Sequence, residues 1–242
     1  MNDALIRPTR SLLGLDDGEL PVLEITLGGT PRGIVLVACD GGSATADASE
    51  IMNRLAEHGY ESIAATVAPD ESQPAVRELF ARAADRGWTP EQTGMVGCGS
   101  GGRVALDAAS TQPFGAAVSL SATGTPDHPV QNSISASEFE GRIATPWLGL
   151  FGSDDPDLPA GRVRELEAAL DRGTDVHTMT MRYPGVGREF YRHGEDGLGY
   201  GAWYDGWQRT VEWLNARIAP RLTPLAQQWR QREFDRREGG RD

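Results

Sequence analysis

The chain has 242 residues and a formal net charge of −12, from 35 acidic residues against 23 basic ones. A field of that sign repels phosphate backbones and anionic lipid surfaces, and no basic run is long enough to reverse it locally, so nucleic-acid and membrane partners are not expected. Every position counted as Lys or Arg is arginine, which leaves no lysine for a Schiff base and excludes pyridoxal-phosphate-type covalent catalysis.

Apolar runs predict seven strands, over residues 22–27, 34–38, 62–66, 95–97, 116–120, 146–151 and 177–183. The middle five are short and continuously apolar, the pattern of strands covered on both faces. Helical spacing joins Ala48, Ile51, Met52 and Leu55, then Val76, Leu79, Phe80 and Ala83, then Val163, Leu166 and Leu170. Gly59, Gly87 and Gly173 follow these helices as C-cap candidates. Strands alternating with helices predict an α/β fold with a mainly parallel sheet, which binds ligands at the carboxyl ends of its strands. A last main helix carries Trp207, Val211, Leu214 and Ile218 on one face, with Trp203, Tyr204 and Trp207 read as core.

The length suits a single domain over residues 1–220, followed by a helical extension and charged tail over 221–242 with a modest stripe of Leu222, Leu225 and Trp229. Cys39 and Cys98 fall on separate predicted elements, which supports neither a disulfide framework nor a zinc site. The first ten residues lack the charged and apolar regions of a signal peptide, and no stretch approaches the ~20 apolar residues of a membrane span. A cytoplasmic location is therefore expected.

The segment from Gly97 to Gly102 is a strand, a sharp glycine turn and a helix start, and it fits two motifs. Gly97, Gly99 and Gly102 satisfy the dinucleotide fingerprint G-x-G-x-x-G. Against that reading, the region about twenty residues on offers no acid for a ribose, and strands precede the turn rather than begin at it. The other reading is a nucleophile elbow, where small residues two before and two after the apex permit the strained turn.

Three further segments favour the elbow. The stretch Arg54-Leu55-Ala56-Glu57-His58-Gly59-Tyr60, the run PWLGLFGSDDPDL from Pro146 to Leu158, and Tyr183-Pro184-Gly185-Val186-Gly187-Arg188-Glu189-Phe190 occur in the order of matching segments in the dienelactone hydrolase family, which the chain resembles up to its last main helix. The resemblance implies an α/β-hydrolase fold, a sheet with helices on both faces, and a catalytic triad. The family's elbow reads Gly-x-Cys-x-Gly-Gly, which places Gly99 at the nucleophile position. Asp155 matches the triad aspartate, Arg188 stands at the histidine position of Tyr-Pro-Gly-x-Gly-His, and Asp40, preceded by Cys39, matches a glutamate. A guanidinium stays protonated and cannot serve as a general base near neutral pH.

The resemblance thus implies a pocket bounded by Asp40, Gly41, Gly99, Ser100, Asp155 and Arg188, without metal or other cofactor, for a small organic molecule. Three readings follow. In the first, Asp155 or Asp40 supplies acid/base chemistry, Arg188 acts as electrophile, and the N–H groups of Gly41 and Ser100 hold an oxyanion, in an isomerisation, cyclisation or lyase step. The second is a binding or scaffold protein; under any of the three a homodimer is left open. The third is an ester or lactone hydrolase using Ser100 with His193, if the turn slips by one residue. Asp155 before Pro156 and Asp40 before two glycines also suit ordinary turns. Once its histidine position carries arginine, Asp155 should pair directly with Arg188 at ~2.7–2.9 Å.

Overall fold

The continuously apolar runs become the centre of one sheet, because strands buried on both faces need side chains that lose nothing on leaving water. The structure, a computed structural model, describes residues 6–238 apart from 17, 41–43, 70–71, 124–135, 137–138, 140, 173–174 and 193–196. Its strands are β1 (Thr9–Leu15), β2 (Gly18–Ile25), β3 (Gly33–Cys39), β4 (Tyr60–Thr66), β5 (Thr93–Cys98), β6 (Ala116–Leu120), β7 (Trp147–Gly152) and β8 (Thr178–Tyr183). Six helices accompany them: α1 (Ala44–Glu57), α2 (Ser72–Asp85), α3 (Ser100–Thr111), α4 (Ala160–Leu170), α5 (Gly197–Arg217) and α6 (Pro224–Glu238).

The sheet runs in the order β1-β2-β4-β3-β5-β6-β7-β8. Strands β3 to β8 pair in parallel, and β1 and β2 close one edge as an antiparallel hairpin. The seven expected strands are present and β1 is an eighth. Its sequence TRSLLGL alternates between exposed and half-buried positions, so it carries no fully apolar run to announce it. The hairpin also explains how β2 tolerates Pro21, which pairs with Leu12 at the edge rather than in the parallel centre.

Helices α1 and α5 cover one face, where Val35, Val37, Val96, Val118 and Leu148 meet Met52, Leu55, Val211 and Leu214. The other face packs Leu36, Met95 and Ala117 against Leu79, Leu106 and Leu166 of α2, α3 and α4. Gly59 and Gly87 end α1 and α2 with φ of +80° and +79°, the left-handed conformation expected of such caps; Gly173 lies outside the described residues. Trp207 is buried as expected, Trp203 is half-buried, and Tyr204 corrects the core reading by lying 51% exposed on the outer side of α5. The stripe on α6 is not covered, with Leu225 and Trp229 both at the surface. Among the described residues no helix is long and apolar enough to cross a membrane.

A buried polar relay ties α3 to the sheet beneath it. The indole N–H of Trp147 donates to Ser119 Oγ at 2.8 Å, and Ser119 Oγ donates to the Gly102 carbonyl at 2.6 Å. The relay links β7, β6 and the first turn of α3, so it holds the start of that helix at a fixed height above the strand ends. Ser119→Ala would leave the fully buried indole N–H without its acceptor. Urea denaturation should show a loss of about 1–3 kcal/mol, the cost of an unsatisfied buried donor.

Candidate active site

The turn between β5 and α3 is set by steric exclusion. A Cβ at Gly97 would fall 1.9 Å from the Gly101 carbonyl oxygen, one at Gly101 2.1 Å from the Ala38 oxygen, and one at Gly102 1.8 Å from the Ser121 oxygen. No side chain fits at those contacts, so glycine at all three is a packing requirement. Ser121 adopts a left-handed φ of 64° without being glycine, a strained conformation at the end of β6 that presents its carbonyl to Gly102.

Gly99 sits at the apex with φ +58° and ψ −126°, and α3 begins at the next residue, Ser100. Its N–H donates to the Leu120 carbonyl at 2.9 Å, and its own carbonyl accepts from Gly102 N–H at 3.0 Å. A Cβ on Gly99 would lie 2.2 Å from Asp40 Oδ2 and 2.9 Å from the Tyr191 hydroxyl. A carboxylate and a phenol therefore converge on the space that a side chain at the apex would enter. The same space would have to hold a pyrophosphate under the dinucleotide reading, which these contacts oppose.

Asp40 is 5% exposed and follows the last residue of β3, against the positive end of α3. Arg192 approaches it from the loop after β8, with Nη2 3.8 Å from Asp40 Oδ1 and Nη1 3.0 Å from Glu189 Oε1. The Tyr191 hydroxyl is buried and has no hydrogen-bond partner among the described residues. Burial, and then the nearby Cys98 and Asp40, push its pKa well above the usual phenol range, so it stays protonated and remains a donor. Phe190, buried between Tyr183 and Tyr191, anchors the turn that aims both residues inward.

Asp155 belongs to a second group of interactions. It is 3% exposed; Thr123 Oγ1 donates to its Oδ2 at 2.6 Å, and the Asp157 N–H donates to its Oδ1 at 3.0 Å. Thr123 also contacts Ser121 Oγ at 3.2 Å, which connects this aspartate to the strained residue under the elbow. The expected Asp155–Arg188 pair is corrected in form. Arg188 Nε stands 3.8 Å from Asp155 Oδ1, within ion-pair range but too long for a hydrogen bond, while Nη2 makes the close contact at 2.7 Å with Asp157 Oδ2. Two backbone-proximal donors already serve Asp155, so the guanidinium turns its fork to the more accessible acid.

Of the expected pocket, the structure brings Asp40, Gly99 and Ser100 together and sets Asp155 with Arg188 in their own cluster. Gly41 and His193 lie outside the described residues. Cys39 and Cys98 are buried on the neighbouring strands β3 and β5 and are not joined in a disulfide. Tyr191 and Arg192 were missed by sequence reasoning, and their sole signal is a position three and four residues beyond Arg188 in a loop held by an apolar anchor. Among the described residues no group of three or more His, Cys, Asp or Glu side chains could hold a metal ion.

Residues 69–218 match the sequence model of the Dienelactone hydrolase family. The "Putative carboxymethylenebutenolidase" of Salmonella typhimurium is 29% identical over 101 residues, covering 42% of this chain and 34% of that relative. The match thus spans about a third of the length of the curated relatives. Among solved structures, the "Putative Dienelactone Hydrolase" of Klebsiella pneumoniae superposes with a TM-score of 0.70 at 19% identity, covering 86% of this chain and 98% of that one. A dienelactone hydrolase-like promiscuous phosphotriesterase from metagenomic libraries gives 0.67 at 16% identity, covering 88% and 100% of the two chains. These likenesses show the fold.

Two sets of substitutions test the geometry. Gly99→Ala should cost about 1–3 kcal/mol, because a left-handed backbone and a contact with Asp40 both oppose the new methyl group; adding Asp40→Ala should recover part of it in a double-mutant cycle. Arg188→Ala should cost a similar ~1–3 kcal/mol by leaving buried Asp155 without its cation, and less when combined with Asp155→Asn, whereas Asp157→Ala, at a half-exposed acid, should cost about 0–1 kcal/mol. Thermal and urea unfolding of the purified variants checks both.

Proposed function

Since the chain belongs to the dienelactone hydrolase family, we propose that it keeps the family's site for a small organic substrate and works it by proton transfer, without a nucleophile at the elbow. The observation that carries this reading is the convergence of the Asp40 carboxylate and the Tyr191 hydroxyl on the space in front of Gly99. A site built to attack a carbonyl carbon needs a nucleophile at that point. This one offers a base and a proton donor there.

In this reading Asp40 removes a proton from a carbon next to a carbonyl group. As the enolate forms, the Tyr191 O–H and the Ser100 N–H at the first position of α3 donate to its oxygen, where the helix dipole adds favourable potential. Asp40 then returns the proton at another carbon, or the enolate closes a ring or expels a leaving group, giving an isomerisation, cyclisation or lyase outcome. Asp40 is preferred to Asp155 as the base because its Oδ2 borders the space in front of Gly99, whereas Asp155 sits in a separate cluster with Thr123 and Asp157. Arg188 becomes a clamp on Asp155 and Asp157 in place of the electrophile, and Arg192 is the cation that faces the base.

The test is solvent exchange. Proton NMR in D2O should show the protein catalysing deuterium incorporation next to the carbonyl of small cyclic ketones and enol lactones. Asp40→Asn should slow this by about 100-fold or more, and Tyr191→Phe by roughly 10-fold, in the range of general acid–base contributions. Hydrolysis of activated esters or dienelactone should stay at background. Ester hydrolysis abolished by Ser100→Ala, or a fluorophosphonate adduct on Ser100 seen by mass spectrometry, would replace this mechanism with a serine hydrolase one.

A further inference from the structure

The carboxyl-end margin of the sheet carries a cavity of about 360 Å³ on the α1 face, between the β1–β2 hairpin and the ends of β3 and β4. Strand register shows why its wall is apolar. Leu12 lies opposite Pro21, and Arg10 opposite Leu23; Leu23 lies opposite Ala64, and Thr66 opposite Cys39. Side chains alternate between faces with a period of two, so all of these line one face. On that face α1 packs over β3 and β4 and contributes Ala48, while Leu12 and Thr66 stand exposed at the open side of the cavity.

We infer that this cavity holds the apolar body of the substrate, an uncharged molecule of hydrocarbon or aromatic character whose carbonyl end reaches Asp40. Three observations carry the assignment. Cys39 and Thr66 are the last residues of their strands, so the cavity opens at the end of the sheet where α/β folds bind ligands, the same end at which Asp40 follows β3. Its volume falls within the range of small-molecule sites, roughly 300–1,000 Å³. Among the described residues its wall holds no carboxylate, in a chain with 35 acidic residues, and Arg10 is the one charged side chain lining it. A recess at the strand ends whose described lining is free of acid, in an acidic protein, has a surface suited to an apolar guest.

The inference rests on the proton-transfer reading only for which end of the guest faces Asp40, and binding can be measured without turnover. The probe is the uncharged dye N-phenyl-1-naphthylamine, whose fluorescence rises in apolar surroundings. One dye should bind per chain in a saturable titration. Thr66→Trp, which fills the mouth, and Leu12→Asp, which makes it polar, should each weaken binding by about 10-fold or more, equivalent to ~1.4 kcal/mol. Both residues are exposed, so the fold should persist and circular dichroism should be unchanged. Bound dye should also slow alkylation of Cys39 by N-ethylmaleimide and leave Cys98 unaffected, with the two sites resolved by peptide mass spectrometry. Asp40→Asn should bind the dye as the parent does while losing exchange activity, which separates this inference from the mechanism. Absence of saturable binding, unchanged alkylation of Cys39, or loss of binding in Trp229→Ala on the exposed face of α6 would overturn it.

Discussion

Three carbonyl oxygens, those of Ala38, Gly101 and Ser121, crowd the turn after β5 so closely that only hydrogen fits at positions 97, 101 and 102. This crowding fixes the path of the chain from the sheet into α3 whatever side chain the apex carries. The Trp147–Ser119–Gly102 relay then locks the helix start to β6 and β7. A backbone so constrained keeps an elbow geometry with glycine at its apex, and the polar groups of neighbouring loops come to lie where an apex side chain would stand.

Two buried acids near that turn have different surroundings, which set them different tasks. Asp155 is satisfied by Thr123 and by a backbone N–H, with Arg188 alongside, so its charge is compensated locally and its oxygens are occupied. Asp40 faces a helix N-terminus, a phenol kept protonated by burial, and an arginine at longer range. Charge balance alone does not distinguish the two acids, since each has a guanidinium group 3.8 Å away. The distinction is one of position: Asp40 borders the space in front of the apex, and Asp155 is held away from it by Thr123 and the Asp157 N–H.

The parallel centre of the sheet could be read from the chain because its strands are unbroken apolar runs. Strand β1 could not, because an antiparallel edge strand needs only one face covered and TRSLLGL shows too little contrast between faces. At the site, Asp40, Gly99, Asp155 and Arg188 were legible because each sits at a motif position tied to a strand end. Tyr191 and Arg192 were not, since their direction depends on how Phe190 packs, and that is a property of the folded loop. The Asp155–Arg188 contact was anticipated from the arginine standing at the histidine position of the family motif opposite a partly buried aspartate. Its actual geometry depends on Asp157, whose backbone and side chain both intervene.

The contact between Asp40 and the apex also bears on how such a protein can change over generations. The glycine codons GGT and GGC lie a single nucleotide from codons of cysteine and serine, so from either of them a thiol or hydroxyl at position 99 is one mutation away. Yet the first atom of either side chain would arrive 2.2 Å from a carboxylate oxygen. A side chain at position 99 therefore requires the Asp40 carboxylate to swing aside or be replaced, and under the proposed mechanism its replacement alone would discard the base before anything took its place. Under the proposed mechanism the arrangement acts as a ratchet: a short step in sequence is separated from hydrolysis by an intermediate suited to neither chemistry.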